Sequence, residues 1–405
     1  MIKKTIVALS ILAGALMVSS CGGGSGSGSE TIVKEDENKD KVDLSKDYAK
    51  LFPTNALSEG RRVIDNLLSL NDLVDRTAFS NQNEFNEKYE LVSNSLFGNI
   101  SAKSMTASSS DLFKINPDLQ QKVLEKFNKS VEQLIELNGR KWETASEGNA
   151  GKVGSEKGKD IRFINEKGIE ISELVEKQIM GIIFLDQILN EHLGDNVMKN
   201  TELRDKNAKR QFLRGKQYTE LEYHWDIAYA LLGKENRDGT PKFIANYMVN
   251  EFQGAEFMKD VDKRVLTAFK KGRKALATAD YSEVETQIGV IRESLSKLFA
   301  TRCVHYLKQS KPNLGGDITS GEYQKAFHEL SEAYGFLYAF IATRKADGSF
   351  YINDYKIIES LATDMMGASG LWDKNNLIGV EGNGALNRVA KKIGNIFGFD
   401  SDLVL

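Results

Sequence analysis

Apolar residues recur every three to four positions along most of the chain, the spacing that places them on one face of an α-helix. The run over residues 169–192 is apolar on more than one side, so it predicts a helix buried at the centre of the fold. Further helices are predicted over residues 63–74, 123–135, 218–232, 257–279, 281–309 and 323–344. We found no set of alternating polar and apolar residues that would predict a β-sheet.

Glycine-rich segments separate these helical ranges, near residues 148–158, 233–239, 315–316 and 367–370. The chain contains only four prolines, well below the usual share of about 5%, which favours long uninterrupted helices. We therefore expect an all-α fold, a helical bundle with short loops that consists of two packed bundles. Residues 173–176 and 329–332 are similar in sequence, and each segment precedes a glycine and an apolar run, as a duplicated bundle unit would.

The first 46 residues differ from this pattern. Lys3 and Lys4 precede an apolar run that is too short to cross a bilayer, since a spanning helix needs about 20 apolar residues. The next segment, Val18-Ser19-Ser20-Cys21, has the form of a lipobox. It predicts a lipoprotein signal peptide over residues 1–20 and a diacylated Cys21. Residues 21–46 are first Gly and Ser and then charged, so they predict a flexible tether, and residues 47–405 form the predicted helical domain.

A lipid anchor at Cys21 would hold the protein in the cell envelope, on the outer membrane, and several acyl chains bind a bilayer stably. The sequence leaves open whether the protein faces the periplasm or the cell exterior. Without residues 1–20 the chain has 52 basic and 57 acidic residues, a net charge of −5 with His neutral. Nucleic acid is therefore not an expected partner. With Cys21 lipidated, Cys303 has no second cysteine, so no disulfide is expected.

Two of the four histidines lie four residues from a glutamate, a spacing that places both side chains on one helix face. Imidazole and carboxylate groups that project from facing helices are how helical bundles bind metal ions. The candidate metal ligands are His224, His328, Glu332, Glu220, Glu176 and Asp226. If they form one site, His224, His328 and Glu332 must converge.

Two other interpretations remain open. The segment His328-Glu329-Leu330-Ser331-Glu332 is similar to the zinc-peptidase motif H-E-x-x-H, with Glu332 in place of the second histidine. This favours a metallopeptidase centred on His328, Glu329 and Glu332 as one alternative. In the other alternative, the histidines are hydrogen-bonded core groups of a structural or partner-binding lipoprotein that has no metal site.

Several segments resemble envelope lipoproteins that carry the domain of unknown function numbered 4856: ASEGNAGKVG, EKGIEISELVEKQIMGIIFLDQIL, GKQYTELEYHWDIAYALLG, KKGRKALATADY, IRESLSKLFATRCVHYL and AFHELSEAYGFLYAF. The resemblance covers most of residues 51–373. That family is similar in turn to the imelysin-like proteins, which are helical, consist of two related bundles and carry a G-x-H-x-x-E motif. Here Ala326 stands at the glycine position, His328 is followed by Glu332 four residues later, and Ile227 stands where the family usually has an acid after Asp226.

The resemblance implies a role in iron or haem acquisition. The implied cofactor is iron, another divalent metal or haem, and the implied partner is an outer-membrane transporter. The expected function is therefore that of a non-enzymatic, envelope-anchored accessory of uptake.

Overall fold

The computed structural model describes residues 45–405 except 76–78, 141–142, 155–160, 235–238, 250–254, 316–320 and 381. The predicted signal peptide, Cys21 and the tether up to residue 44 lie outside the described residues. Residues 43–405 group into one compact unit. In the part of the chain that the structure describes, no helix is both long and apolar enough to cross a membrane.

The N-terminal half contains α1 (Tyr48–Leu51), α2 (Asn55–Asp75), α3 (Gln82–Tyr89), β1 (Ser93–Ser95), β2 (Gly98–Ile100), α4 (Ala102–Met105), α5 (Pro117–Asn138), β3 (Gly151–Val153), β4 (Arg162–Ile164) and α6 (Ile171–Ile179). Helix α6 continues as a π-helix over Met180–Leu185 and Gln187–His192. The remaining helices are α7 (Asp195–Met198), α8 (Thr201–Ala208), α9 (Glu220–Ala230), α10 (Phe243–Val249), α11 (Val261–Ala277), α12 (Tyr281–Asn313), α13 (Gly321–Ala339), α14 (Tyr355–Met366), α15 (Lys374–Ile378) and α16 (Ala385–Phe397). Short 3₁₀ turns cover Glu256–Met258, Phe340–Ala342, Gly370–Trp372 and Ser401–Leu403.

The predicted all-α bundle is confirmed, since nearly all of the regular structure among the described residues is helical. Two antiparallel hairpins were not predicted from the sequence. In the first Ser93 pairs with Ile100, and in the second Gly151 pairs with Ile164. Each strand has only three residues, which is too short for alternation to be visible. The arrangement as two packed bundles stays a prediction.

The centre of the fold is the pair formed by α6 and α13. Helix α13 packs against α6 on one side and against α12 on another, while α11 packs along α12 and α2 packs along α9. Every residue from 174 to 190 except Glu176 is buried, as the sequence predicted for this run. The π-helical winding was not predicted. Such segments are rare and are often found at functional sites.

Helix α9 begins at a capping box. The Thr219 side chain accepts a hydrogen bond from the backbone of Glu222, and the Glu222 side chain accepts one from the backbone of Thr219. This reciprocal pair satisfies backbone donors that the first turn of a helix leaves without a partner. The cap fixes the start of the helix that carries His224 and Asp226.

Candidate metal centre

Helices α6 and α13 run parallel and approach each other closely at two glycines. A Cβ atom on Gly181 would lie 2.4 Å from the Cα and Cβ atoms of Ala339, and one on Gly335 would lie 2.7 Å from the Cβ atom of Lys177. Only glycine permits contacts this short without a shift of one helix. The two similar sequence segments therefore lie side by side, and their glycines allow this close packing.

A group of three potential metal ligands lies where α6 begins. One carboxylate oxygen of Glu170, one of Glu173 and one nitrogen of His328 all lie within 4.8 Å of one another. His328 Nδ1 is 2.9 Å from Glu170 Oε2 and 3.5 Å from Glu173 Oε1, while His328 Nε2 is 3.6 Å from Glu332 Oε2. Both nitrogens of this imidazole therefore face carboxylates.

The start of α6 explains why Glu170 is available. Glu170 stands at the N-cap position, but its side chain makes no capping hydrogen bond, and its backbone N–H donates to Ser331 Oγ on α13 at 2.8 Å. This bond ties the first turn of α6 to α13, and the Glu170 carboxylate contacts His328 through Oε2 and Arg162 through Oε1, at 3.3 Å. The positive end of the helix dipole also favours carboxylates in the first turn, where Glu173 lies.

Lys177 lies one turn further along α6 and is the cation of this cluster. Its ammonium group contacts carboxylate oxygens of Glu173 at 3.0 Å, Glu176 at 2.9 Å and Glu332 at 3.0 Å. The Lys177 side chain is only 3% exposed. A buried ammonium with three carboxylate partners compensates charges that would otherwise be very costly to bury.

Burial and charge shift the acid–base equilibria of the cluster. Burial would lower the pKa of His328, but the hydrogen bond to Glu170 and the nearby Glu173 carboxylate raise this pKa to about 9. Burial raises the pKa of Glu173 to about 8, against the attraction of Lys177. Near neutral pH His328 is therefore an imidazolium and Glu173 carries a proton. A metal ion that binds here must displace these protons.

The edge of the cluster reaches α2. Asn71 Nδ2 donates to Glu176 Oε2 at 3.4 Å, and burial together with the charge of Glu176 raises the pKa of Asp75 to about 7. Burial would also raise the pKa of Glu176, but the ammonium of Lys177 holds it below its usual value. The proton between these two acids therefore resides on Asp75.

The structure brings three of the six predicted ligands together. His328 and Glu332 lie in the cluster described above, and Glu176 joins it through Lys177. His224 lies elsewhere, against His192. Among the described residues, no hydrogen bond, ion pair or ring contact joins His224 to His328, and none joins it to its sequence partner Glu220.

Asp226 belongs to a third location and has a structural environment. It is fully buried, and its two oxygens accept hydrogen bonds from Tyr48 at 2.5 Å, Thr54 at 2.9 Å and Arg273 Nε at 2.9 Å. Arg273 also contacts Glu222 at 2.6 Å. A guanidinium and two hydroxyls thus satisfy this carboxylate, which leaves little room for a metal ion at Asp226.

The residues of the peptidase alternative are partly engaged by other partners. Asn313 Nδ2 donates to Glu329 Oε2 at 2.8 Å, and burial raises the pKa of the Glu329 carboxyl. Glu332, which would replace the second histidine of the motif, is bound to Lys177. Of the three motif residues, only His328 belongs to the ligand group formed with Glu170 and Glu173.

Sequence reasoning missed Glu170, Glu173 and Lys177 as members of the site. Glu170 and Glu173 lie more than 150 residues before His328 in the chain, so no local spacing connects them. The available signal was the similarity between residues 173–176 and 329–332, each followed by a glycine. The structure shows that these glycines allow the two segments to pack against each other.

The chain belongs to the family described as Domain of unknown function (DUF4856), whose model matches residues 36–400. The predicted family is therefore confirmed. Neither curated proteins nor solved structures gave a match.

Proposed function

We propose that this protein binds a transition-metal cation, with iron as the first candidate, between Glu170, Glu173 and His328. We propose further that lipidation at Cys21 anchors it in the cell envelope, where it assists uptake of the metal by an outer-membrane transporter. The observation that carries the proposal is the convergence of two carboxylates and an imidazole within 4.8 Å at a buried point between two helices.

The donor set supports a transition metal. Imidazole suits Fe, Zn, Cu and Ni, and one histidine with two carboxylates adds the hard oxygen ligands that iron and manganese accept. His328 Nδ1 lies 2.9 and 3.5 Å from the two carboxylates, and neighbouring ligands of one ion have similar separations. The side chains of Glu170, Glu173 and His328 are 8%, 12% and 26% exposed, so an ion would enter past His328.

The environment supports an ion better than haem. A ligating imidazole must direct one nitrogen at the haem iron, whereas both nitrogens of His328 face carboxylates. An added cation would take the place of the protons on His328 and Glu173, and it would lie beside Glu170, whose other carboxylate oxygen is 3.3 Å from Arg162.

The test is a metal titration of the full chain, purified without a histidine tag and stripped with a chelator. Fe(II) is added under anaerobic conditions at pH 8, with Zn(II) and Fe(III) in parallel, and bound metal is measured by elemental analysis. We expect one tight ion per chain, and we expect that His328→Gln and Glu173→Gln each weaken its binding at least about tenfold. Glu220→Gln is the matched control, because Glu220 lies outside the cluster, and it should bind like the wild type.

Two results would overturn the proposal. If no ion binds, the cluster is a structural ion network of the kind that Asp226 and Arg273 form. If an ion binds but His328→Gln and Glu173→Gln leave its affinity unchanged, the ion lies elsewhere. Peptide cleavage in the metal-loaded protein that is lost in Glu329→Gln would favour the metallopeptidase instead.

A further inference from the structure

Outside the carboxylate cluster, two of the three remaining half-buried histidines face each other. His192 is the last residue of the π-helical run that extends α6, and His224 lies in the second turn of α9, which packs against that run. Their Nδ1 atoms are only 2.9 Å apart. We infer that His192 and His224 form a second metal site, which takes a borderline cation such as Cu(II) or Ni(II) through imidazole nitrogens.

The separation of the two nitrogens fits one coordination geometry well. Metal–imidazole bonds are about 2.0–2.1 Å long, so two nitrogens 2.9 Å apart would subtend an angle of about 90° at a shared ion. Tetragonal and octahedral ions have adjacent ligands at this angle. Cu(II) and Ni(II) prefer square-planar or tetragonal nitrogen and oxygen ligands, so a pair of imidazoles at this separation suits them.

The two rings also have the protonation state that ligation needs. Burial lowers the pKa of His192 to about 3, with a small contribution from Lys114, and burial and the neighbouring ring lower the pKa of His224 to about 3. Both imidazoles are therefore neutral at physiological pH. In a hydrogen bond between the two Nδ1 atoms, one ring must be the proton donor. To bind both Nδ1 lone pairs, a metal ion needs the donor ring to move its proton from Nδ1 to Nε2, so both ligands stay neutral and no proton is lost from the pair.

A cavity of about 340 Å³ opens beside the pair, and both histidines line it together with Glu191, Gln187 and Lys114. Such a cavity leaves room for water or a small ligand at the remaining coordination positions of an ion. Glu191 accepts a hydrogen bond from the backbone of Ser110 at 2.5 Å and lies 3.5 Å from the Lys114 ammonium. Glu191 is thus already paired with Ser110 and Lys114, so the two imidazoles are the protein ligands of this site and the cavity supplies the remaining positions.

Phe97 lies beside the His224 ring. Its ring stacks on His224 with a centroid distance of 5.9 Å and an interplanar angle of 15°, while its own side chain stays exposed at the cavity edge. The His192 and His224 rings are tilted by 41° to each other. The His224 ring therefore lies between Phe97 and His192.

The second site is separate from the first in position and in chemistry. His192 lies 19 residues after Glu173 along one continuous helical run, which places the two sites on the order of 25 Å apart. The first site offers two carboxylates and one imidazole, and the second offers two imidazoles. The two sites therefore differ in ligand type, which is one basis of selectivity between metals.

Electron paramagnetic resonance of Cu(II) tests this inference on the full chain without a histidine tag. One equivalent of Cu(II) should give a tetragonal spectrum with hyperfine structure from two imidazole nitrogens. His192→Gln and His224→Gln should each remove the two-nitrogen pattern and weaken Cu(II) binding at least about tenfold. His305→Gln is the matched control, and it should keep the wild-type spectrum.

An unchanged spectrum in His192→Gln or His224→Gln would overturn the inference, as would loss of the pattern in His305→Gln. A measurement on the wild type covers the case in which a variant fails to fold. With ¹⁵N-labelled histidine, one equivalent of paramagnetic Ni(II) should broaden the imidazole signals of two of the four histidines together. Broadening of none, or of one alone, would contradict the site. Loss of iron binding in Glu173→Gln with the copper spectrum intact would separate the two proposals.

Discussion

Replacing Lys177 by methionine should destabilise the protein far more than replacing an exposed lysine. The ammonium lies within 3.0 Å of three carboxylates, on Glu173, Glu176 and Glu332, and is 3% exposed. Removing one partner of a buried ion pair costs about 3–5 kcal/mol, because the other charge stays buried without compensation. For roughly 360 folded residues with an unfolding entropy of about 2.1 cal/mol/K each, this predicts a Tm lower by roughly 4–7 °C.

Differential scanning calorimetry at pH 8 in the presence of a chelator measures this effect. The control is Lys209→Met, which removes an exposed lysine paired with Asp205 at 2.6 Å, and such pairs contribute at most about 1 kcal/mol. Added Fe(II) should recover more stability in Lys177→Met than in the wild type, because a metal ion would replace the lost positive charge. A Tm equal to that of Lys209→Met would refute the view that Lys177 compensates buried carboxylates.

Three further substitutions test other parts of the structure by urea unfolding. Gly181→Ala should lower the free energy of unfolding by about 1–3 kcal/mol, because its Cβ would lie 2.4 Å from Ala339, and this loss should exceed the gain in helix propensity of about 1 kcal/mol. The control is Gly139→Ala, whose Cβ would have no contact under 3.4 Å. Equal losses of stability in the two variants would contradict the close approach of the helices. Burial raises the pKa of Asp186 from 3.8 to about 7, so between these pH values the folded state keeps a proton on Asp186 that the unfolded state loses. Wild-type stability should therefore fall as pH rises from about 4 to 7. Asp186→Asn should remove this part of the pH dependence of stability, and an unchanged pH dependence would disprove the role of Asp186. Arg273→Met should cost about 3–5 kcal/mol, since it leaves the Asp226 carboxylate buried without its guanidinium; a loss under about 1 kcal/mol would contradict that role.

Local sequence patterns predicted the seven helices α2, α5, α6, α9, α11, α12 and α13 from their apolar residues. Helices α3, α8, α10, α14 and α16 were not predicted. Residues 63–74 fall within α2, and residues 123–135 fall within α5. The π-helical continuation of α6 could not be predicted, since an extra residue per turn changes no single position enough to be visible in a run that is apolar on all sides. The two hairpins are too short to show a pattern.

The candidate metal centre was only half predictable for a related reason. His328 and Glu332 are four residues apart on one helix, so their proximity follows from helix geometry. The contacts of His328 with Glu170 and Glu173 depend on how α6 packs against α13, which no spacing in the chain encodes. Lys177 was missed because a lysine between glutamates usually lies on a solvated helix face, whereas here the close approach of Gly335 encloses it.

The separation of His224 from His328 could not be predicted for the same reason. The two Glu–His pairs have the same spacing in the sequence. This spacing shows only that both residues of a pair lie on one face of their helix, and it does not show what that face packs against. His224 faces the end of the π-helical run, where it meets His192. His328 faces the start of α6. His224 on α9 and His328 on α13 therefore contact opposite ends of the same central helical run.

Anomalous diffraction at the iron absorption edge, from crystals of the full chain grown with Fe(II) under anaerobic conditions, tests the central claim most directly. We predict one strong anomalous peak about 2.0–2.2 Å from His328 Nδ1 and from carboxylate oxygens of Glu170 and Glu173, distances typical of first-row metals with these ligands. A peak at any other place, or density in which His328 keeps its contacts with Glu170 and no iron is present, would contradict the account.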